Sequence, residues 1–409
     1  MDKASYALTM FMSYAAMAGE CVPSWETGVT EGASAAVTAF TTADLGSGDV
    51  LVAIGAFTSI GGIDATHIAA WDGIGWSPLA TSTNADVVTA LMLEDTLWAA
   101  GAFTQIDGVV APMIARYHAG EWTSAGAGFN RSVNTLELLD NQLYAAGGFW
   151  LSGGTSIRAV ARWESDSWAP VGQGLVGEVY DLTADPAGDL IAAGEIGFAV
   201  GVGEVANIAR WDGSAWSGVG EGLDAIVRCV VTTDLGDGPT LVAGGAFDGN
   251  VAVFENDEWT VLGGGPGGVV YDLFISDLGD GERLIAAGAF GPSSAGAIAS
   301  WDGSAWTIIA GGLSQDGSPP EARALGIDPT SGALAVGGRF DKAGGLPAKN
   351  FALLELCETT TPADLDGNGV VDASDLAILL AAWDGPDADL DGDGIVNSSD
   401  LAILLASWD

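Results

Sequence analysis

The sequence predicts an all-β fold of seven similar units, followed by a small helical domain. Three observations lead to this prediction: a Trp-Asp-Gly hairpin motif recurs along the chain, a Gly-containing strand ending recurs seven times, and two near-identical acidic segments lie at the C-terminal end. Repeats of about 40–50 residues that each supply four short strands are typical of β-propeller blades. We therefore expect a seven-bladed β-propeller of four-stranded antiparallel blades over residues 21–357, a linker over 358–362 and a second domain over 363–409.

The hairpin is clearest in residues 208–216, Ile-Ala-Arg-Trp-Asp-Gly-Ser-Ala-Trp. Asp-Gly between β-forming segments is a strong hairpin signal, because Gly accepts the positive φ that the tight turn demands. The second aromatic residue of each copy marks the repeat, and these markers are on average about 47 residues apart: Trp25, Trp76, Trp122, Trp168, Trp216, Trp259 and Trp306. The hairpin therefore supplies the last two strands of each unit.

The first two strands of each unit follow the marker. A Gly-rich connection leads into an apolar run, such as Ala225–Val231, and a turn then leads into a strand that ends in small residues. Gly inside a strand marks a close backbone approach, which tight packing of neighbouring blades would require. The seven copies of this ending are Leu51–Phe57, Leu97–Phe103, Leu143–Phe149, Leu190–Ile196, Leu241–Phe247, Leu284–Phe290 and Leu334–Phe340.

The two ends of the repeat region complement each other. Trp25 lies in a hairpin strand with no preceding partner, whereas Phe351–Leu356 is a hairpin strand with nothing after it. We therefore expect the N-terminal strand to complete the last blade and close the ring. This arrangement brings Cys21 close to Cys357, and a disulfide between them is predicted. Cys229, in an apolar run, is predicted to be an inert core thiol.

The composition excludes two classes of partner. The chain carries 54 acidic and 12 basic residues, for a net charge of −42, so its surface would repel nucleic acid and anionic membranes. Because 48% of the residues are hydrophobic, the chain is expected to fold rather than to stay a disordered acidic polymer. No stretch is long and apolar enough to predict a membrane span.

Residues 1–20 have the pattern of a signal peptide. Lys3 precedes an apolar stretch, and Ala16-Met17-Ala18 offers a small-residue cleavage site. Asp2 and the polar residues inside the stretch leave open an irregular start without export. The favoured interpretation is a secreted, extracellular or cell-surface protein.

The two C-terminal segments have the spacing of calcium-binding loops. Oxygen-bearing side chains at loop positions 1, 3, 5, 9 and 12, with Gly at position 6, are typical of such loops, and position 7 adds a backbone carbonyl. Position 12 is Asp here, where an EF-hand loop usually has Glu. The predicted ligands of two Ca²⁺ ions are Asp364, Asp366, Asn368, Val370, Asp372 and Asp375 in the first loop, and Asp389, Asp391, Asp393, Ile395, Asn397 and Asp400 in the second.

Two family resemblances follow from these motifs. The Gly-ended strands and following Trp hairpins over Pro23–Leu356 resemble kelch and galactose-oxidase-like propellers, and the paired calcium loops with short apolar helices over Ala363–Asp409 resemble a type I dockerin. The second resemblance implies a cohesin-like or cell-surface anchoring partner. Its recognition positions would be Ala373, Ser374, Ser398 and Ser399, although neither helix has the basic residues that dockerins place late in each helix.

Catalytic motifs are weak in the repeat region. With only His67 and His118, the chain lacks the copper site of galactose oxidase, and no Ser/His/Asp set can be assembled. Arg131, Arg228 and Arg323 fall in similar repeat positions, so they would either line one face or pair with local carboxylates. Paired carboxylates for glycoside hydrolysis stay open, because they cannot be chosen among so many acidic residues.

The sequence favours a secreted non-catalytic propeller that displays a face for a glycan or protein ligand and is tethered through a calcium-dependent dockerin-like module. The alternative is an extracellular carbohydrate-active enzyme, a polysaccharide hydrolase or lyase, with a dockerin for assembly. Carboxylates, Tyr and Arg converging at one mouth of the propeller would favour the enzyme.

Overall fold

The computed structural model describes residues 23–26, 31–46, 48–236, 238–278, 281–291, 296–356, 363–366, 371–383, 385–386, 388–391 and 394–408. The chain divides into two compact units, Met1–Leu356 and Cys357–Asp409. The first unit is built from β-strands and the second contains two short helices. Within the described residues, no helix is long and apolar enough to cross a membrane.

The described part of the first unit contains seven antiparallel sheets of four or more strands, numbered here in chain order. Sheet 1 consists of Val37–Asp44, Asp49–Gly55, Ile68–Trp71 and Trp76–Pro78. Sheet 2 consists of Val87–Leu93, Thr96–Gly101, Ile114–His118 and Glu121–Ser124. Sheet 3 consists of Val133–Leu139, Gln142–Gly147, Val160–Glu164 and Ser167–Pro170. Each follows the chain from one edge of the sheet to the other.

The remaining sheets repeat this order. Sheets 4 to 7 consist of Leu175–Ala184, Leu190–Ala199, Ile208–Trp211 and Trp216–Gly218, with Gly203–Glu204 added; of Val227–Asp234, Pro239–Gly245, Val251–Glu255 and Glu258–Val261; of Val269–Asp277, Glu282–Ala289, Ile298–Trp301 and Trp306–Ile308; and of Glu321–Ile327, Leu334–Arg339, Phe351–Glu355 and Ser24–Trp25. Two-residue strands form small separate sheets: Ser59–Ile60 with Ile63–Asp64, Gln105–Ile106 with Val109–Val110, Leu151–Ser152 with Thr155–Ser156, and Leu313–Ser314 with Lys342–Ala343 and Leu346–Pro347.

The seven sheets form a closed series. The first strand of each sheet contacts the first strand of the next, and the first strand of sheet 7 contacts that of sheet 1. The strand Ser24–Trp25 pairs with Phe351–Glu355, so both ends of the unit contribute to sheet 7. These blade-like antiparallel sheets fit a β-propeller.

Every sheet has a β-bulge in its first strand, near the start of the strand in six sheets and in the middle of the longer strand of sheet 4. The register between the first and second strands shifts by one residue there, which leaves one residue of the first strand unpaired. The unpaired residues, one from each sheet, are Thr38, Val88, Asn134, Tyr180, Arg228, Tyr271 and Arg323. We call them the bulge residues.

The bulge explains the recurring glycine of the second strand. A Cβ added to Gly147 would lie 2.2 Å from the carbonyl oxygen of Ser132, just before the bulge, and Gly338 has the same relationship to Glu321 at 2.0 Å. The sequence predicted that a glycine here allows neighbouring sheets to pack closely. In sheet 7 that role belongs to the glycine directly before the one at the bulge. A Cβ on Gly337 would lie 2.8 Å from the Val37 Cβ of sheet 1.

The marker tryptophans join each sheet to the one before it. Trp25 lies opposite Leu354, and each of the other six pairs with an aromatic residue across its own hairpin, as Trp216 does with Trp211 at a ring distance of 5.6 Å. In six of the seven, the indole N–H donates to a backbone carbonyl of the preceding sheet's connection at 2.8 to 3.2 Å; the pairs are Trp25–Ala310, Trp122–Leu79, Trp168–Ala125, Trp216–Val171, Trp259–Val219 and Trp306–Leu262.

The second unit contains two nine-residue helices, α1 (Ala373–Ala381) and α2 (Ser398–Ala406), which contact each other. Each begins with a capping box that satisfies otherwise unpaired backbone amides. The small core of this unit consists of Ala363, Val371, Leu379, Val396 and Leu404.

Candidate functional site

The bulge residues of all seven sheets line one cavity of about 400 Å³, which we call the central cavity. Its volume lies within the roughly 300–1,000 Å³ of small-molecule sites. A bulge turns its unpaired side chain away from the regular alternation of the strand, and bulges are common beside functional sites. Since each bulge residue is half-buried, its side chain reaches the cavity while remaining supported by the sheet.

The bulge residues are distributed unevenly by chemistry. Sheets 1 to 3 contribute Thr38, Val88 and Asn134, whereas sheets 4 to 7 contribute Tyr, Arg, Tyr and Arg in order. The Arg228 guanidinium lies 4.5 Å from the ring centroid of Tyr180, and that of Arg323 lies 5.2 Å from the ring of Tyr271. One side of the central cavity is therefore a row of alternating aromatic and cationic groups.

The two arginines of this row differ in their partners. Arg323 donates from Nε to Glu321 at 2.9 Å, and Glu321 also forms an ion pair with Arg339. No carboxylate of the described residues lies within ion-pair distance of Arg228, whose buried Nε has no hydrogen-bond acceptor there. The sequence left open whether three arginines line one face: Arg228 and Arg323 share a cavity, and Arg131 lies in a neighbouring one.

Carboxylates also converge on the central cavity. Asp181 and Asp272 directly follow bulge residues, and each accepts a backbone amide from the next sheet: Val230 N to Asp181 Oδ2 at 2.9 Å, and Leu325 N to Asp272 Oδ2 at 2.8 Å. Burial raises the pKa of both carboxyls to about 7, against the lowering effect of those amides. Burial, with Asp181 nearby, raises the pKa of Glu137 to about 8.

A second cavity of about 580 Å³, the side cavity, lies between sheets 3 and 4. Arg131 stacks on the Trp150 ring there, with its guanidinium 4.6 Å from the ring centroid. Asn130 fixes this arrangement, because its Oδ1 accepts the backbone amides of Trp150 and Leu151 at 3.0 and 2.9 Å. The other lining residues are Gly148, Val176, Gly177, Glu178, Glu195, Gly197 and Asn207.

Sheet 4 departs from the common template at the side cavity. Its first two strands have ten residues each, and their extension pairs Val176 with Phe198, which are 47% and 54% exposed. The two cavities adjoin, because Asn134 of the central cavity donates from Nδ2 to Glu178 of the side cavity at 2.9 Å.

In the second unit, each acidic loop brings three carboxylates together. Oxygens of Asp364, Asp366 and Asp375 lie within 4.8 Å of one another, as do those of Asp389, Asp391 and Asp400. Oxygens that share one Ca²⁺ at 2.3–2.6 Å would be separated by at most about 5 Å, so this spacing fits a calcium site. Asp375 and Asp400 are fully buried.

Backbone amides hold the two buried carboxylates in place. Asp375 accepts from Leu365 N, Asp366 N and Asp372 N at 2.7 to 3.0 Å, and Asp400 does the same in the second loop. These amides lower the pKa of both carboxyls, that of Asp372 acting most on Asp375. Each carboxylate is therefore ionised and already oriented.

The remaining predicted ligands divide into two groups. Asp372 and Asn397 act as N-caps, accepting the amides of Ser374 and Ser399, and the Ile395 carbonyl accepts from Asn397 Nδ2 at 2.9 Å. Asn368, Val370 and Asp393 lie outside the described residues. The predicted partner positions Ala373, Ser374, Ser398 and Ser399 are all exposed at the helix starts.

Three other predictions concern cysteines and the N-terminus. Cys229 is a buried free thiol, and burial raises its pKa well above the usual value, which confirms an inert core thiol. Cys21, Cys357 and the predicted signal peptide lie outside the described residues.

The bulge residues were missed as a group by the sequence analysis. Their signal in the sequence is the glycine that ends each second strand, because that glycine is where the bulge of the first strand comes closest.

Comparisons with known proteins reveal relatives in fold. No protein-family model and no curated protein matches the chain. Among solved structures, two crystal structures of the extracellular domain of BT4673 from B. thetaiotaomicron are similar, with TM-scores of 0.53 and 0.51 at 9% and 10% identity. That protein is described in one case as a one-component system and in the other as a hybrid two-component system. The similarity covers 81% of this chain and 40% of each relative, so this chain spans less than half of their length.

Proposed function

We propose that the first unit is a kelch-like, seven-bladed β-propeller that acts as an extracellular, non-catalytic domain for binding polysaccharide. The observation that carries this proposal is the convergence of one bulge side chain from every sheet on a single cavity of about 400 Å³. Each of the seven sheets directs one side chain into the shared site. The chemistry of the site can therefore differ at each of seven positions. The solved relatives support the location, since both are described as extracellular domains.

The hydrogen bonds of the central carboxylates favour binding over catalysis. Asp181 and Asp272 accept backbone amides of the next sheet's first strand, so they join neighbouring sheets. A general acid or base must be free to exchange its proton with the substrate. Carboxylates already engaged with two backbone amides each are poorly suited to that role.

The second unit is proposed to be a dockerin-like tether that binds two Ca²⁺ ions. The two sets of clustered carboxylates support this role, because hard oxygen ligands at this spacing suit calcium. Calcium would add stability to a unit whose own core is small. Its partner would be a cohesin-like or cell-surface anchoring protein that contacts the exposed residues at the two helix starts.

A glycan array probed with the full chain tests the propeller proposal. Binding to a restricted set of polysaccharide fragments, without release of shorter products on prolonged incubation, is the expected result. An array on which the calcium-loaded protein binds nothing would contradict it.

A second candidate function is a polysaccharide hydrolase or lyase. The observation in its favour is that Tyr, Arg and carboxylate groups do converge at one cavity, where the pKa values of the Asp181 and Asp272 carboxyls are about 7. Chromatography of the bound fragments after incubation distinguishes the two: shortened products that disappear in Asp181→Asn would establish the enzyme.

A further inference from the structure

We infer that the ligand is an acidic oligosaccharide that lies across the central and side cavities, with Arg228 and Arg131 each binding one of its anionic groups. This inference rests on the proposed saccharide-binding function and adds the ligand's charge and the residues that recognise it.

Within the described residues, Arg131 and Arg228 have no carboxylate partner, although the chain is strongly acidic. The protein has 54 acidic and only 12 basic residues. Within the described residues, ion pairs hold Arg116, Arg162, Arg210, Arg323 and Arg339. In that part of the chain Arg131, Arg158 and Arg228 form no ion pair, and of these three only Arg131 and Arg228 line the two cavities.

The second argument is the geometry of the two guanidinium groups. Arg228 stacks on Tyr180 at 4.5 Å and Arg131 stacks on Trp150 at 4.6 Å. Stacking holds the plane of the guanidinium and leaves the N–H groups at its edge available for hydrogen bonds. Such an oriented edge can bind a carboxylate or sulfate through two parallel hydrogen bonds, which a flexible lysine cannot do.

The third argument is that the cavities adjoin and differ in shape. The Asn134–Glu178 hydrogen bond joins the lining of one cavity to that of the other, so an extended molecule that lies across this contact would reach both. The side cavity continues onto exposed Trp150 and Phe198, whose rings can pack against the apolar faces of sugar rings. Around it, Glu195 and Asn207 offer acceptors and donors for hydroxyl groups.

The negative groups near the arginines do not cancel this positive charge in the central cavity. Arg323 forms an ion pair with Glu321, which Arg339 shares, whereas the lining carboxyls of Asp181 and Asp272 have raised pKa values of about 7 and are partly protonated near neutral pH. Among the described residues, Arg228 is the arginine of this cavity that has no carboxylate partner. The side cavity is also lined by two carboxylates, Glu178, which accepts a hydrogen bond from Asn134, and Glu195.

The experiment is calorimetric titration of the full chain with three probes: oligogalacturonate, its fully methyl-esterified form, and a sulfated galactan oligosaccharide. The ester keeps the sugar backbone and removes the charge. The variants are Arg228→Gln and Arg131→Gln, with Arg158→Gln as the matched control, because Arg158 is exposed and outside both cavities.

We expect an acidic probe to bind at least about tenfold more tightly than the ester and to lose about tenfold or more in each cavity variant, with weaker binding at high salt. Arg158→Gln should bind like the wild type.

If the sulfated probe binds and the carboxylate does not, with the same arginine dependence, the anionic group is sulfate and the inference stands. Equal binding of acid and ester, or equal losses in Arg228→Gln and Arg158→Gln, would overturn the inference but leave saccharide binding intact. Failure of every saccharide, neutral or acidic, would remove the proposed function itself.

Discussion

The indole Nε1 of Trp25 donates a hydrogen bond of 2.9 Å to the carbonyl oxygen of Ala310, which lies 285 residues further along the chain. Trp122 makes the equivalent bond to Leu79, across 43 residues. Trp25 therefore makes for sheet 7 the same bond to the preceding sheet that five other marker tryptophans make for theirs. The hydrogen bond links the N-terminal strand to sheet 6 as well as to its own sheet.

Replacing Trp25 with Phe should lower the free energy of unfolding by about 1–3 kcal/mol, because the carbonyl of Ala310 loses its donor. Trp122→Phe is the matched control, since both tryptophans are 7% exposed and make the same type of bond. Thermal unfolding should show that the two variants lose similar amounts of stability relative to the wild type. An unchanged Trp25→Phe protein beside a destabilised Trp122→Phe protein would mean that the N-terminal strand does not help to close the ring.

Adding a methyl group at Gly147 should be costly, because the new Cβ would lie 2.2 Å from the Ser132 carbonyl at the bulge of sheet 3. We expect Gly147→Ala to lose about 1–3 kcal/mol or more in chemical denaturation. Gly75→Ala is the control, since a Cβ there meets nothing within 4 Å. Equal stability of the two variants would show that the bulge is not a fixed part of the fold.

Much of the fold could be predicted from the sequence, because its signals are local and repeated. The Asp-Gly turn, the marker Trp and the Gly-ended strand each have a direct physical cause, and the hairpin strands lie where these motifs predict them. The bulges could not be read in the same way. A bulge is a relationship between two strands, and no single residue type is common to all seven bulge positions, since these side chains face a cavity and not a core.

The stability of the first unit should fall as the pH rises from about 4 to about 7. The carboxyls of Asp181 and Asp272 have a pKa of about 7 in the folded protein, above the roughly 3.9 expected when unfolded. Between these values the folded state binds more protons, so raising the pH favours unfolding, and above about 7 these groups add no further change.

The double variant Asp181→Asn/Asp272→Asn isolates this effect. Its melting temperature should depend less on pH between about 4 and 7 than that of the wild type, because two of the titrating groups are gone. If the melting temperatures of the variant and the wild type changed equally with pH across that range, neither carboxyl would change its pKa on folding.

Calcium binding should be separable between the two loops. Asp366 and Asp391 are exposed members of the two carboxylate clusters, so replacing either with Ala should leave the helices folded. Calorimetry of the full chain should detect two Ca²⁺ ions in the wild type and one affinity lowered at least about tenfold in each variant, since losing a charged ligand weakens a calcium site. Two unchanged sites in Asp366→Ala would contradict the assignment of the first loop.

The candidate ligand site was only partly predictable from the sequence, because it too depends on contacts between strands. Arg228 and Arg323 could be singled out because they occupy similar repeat positions, but whether each has a carboxylate partner depends on strands far apart in sequence. Arg323 has Glu321 two residues away, whereas the ring under Arg228 comes from Tyr180 of the previous sheet. Burial of Asp181 and Asp272 likewise depends on the closed arrangement of all the sheets.

Plugging the central cavity tests the account most directly. Val88 is a bulge residue of that cavity, so Val88→Trp should fill it, whereas Ile74→Trp adds the same ring at an outer hairpin position that is 91% exposed. For the saccharide that binds the wild type best, titration should show at least about tenfold weaker binding to Val88→Trp and unchanged binding to Ile74→Trp, with both variants melting as cooperatively as the wild type. Undiminished binding by a folded Val88→Trp protein would contradict the assignment of the central cavity as the ligand site.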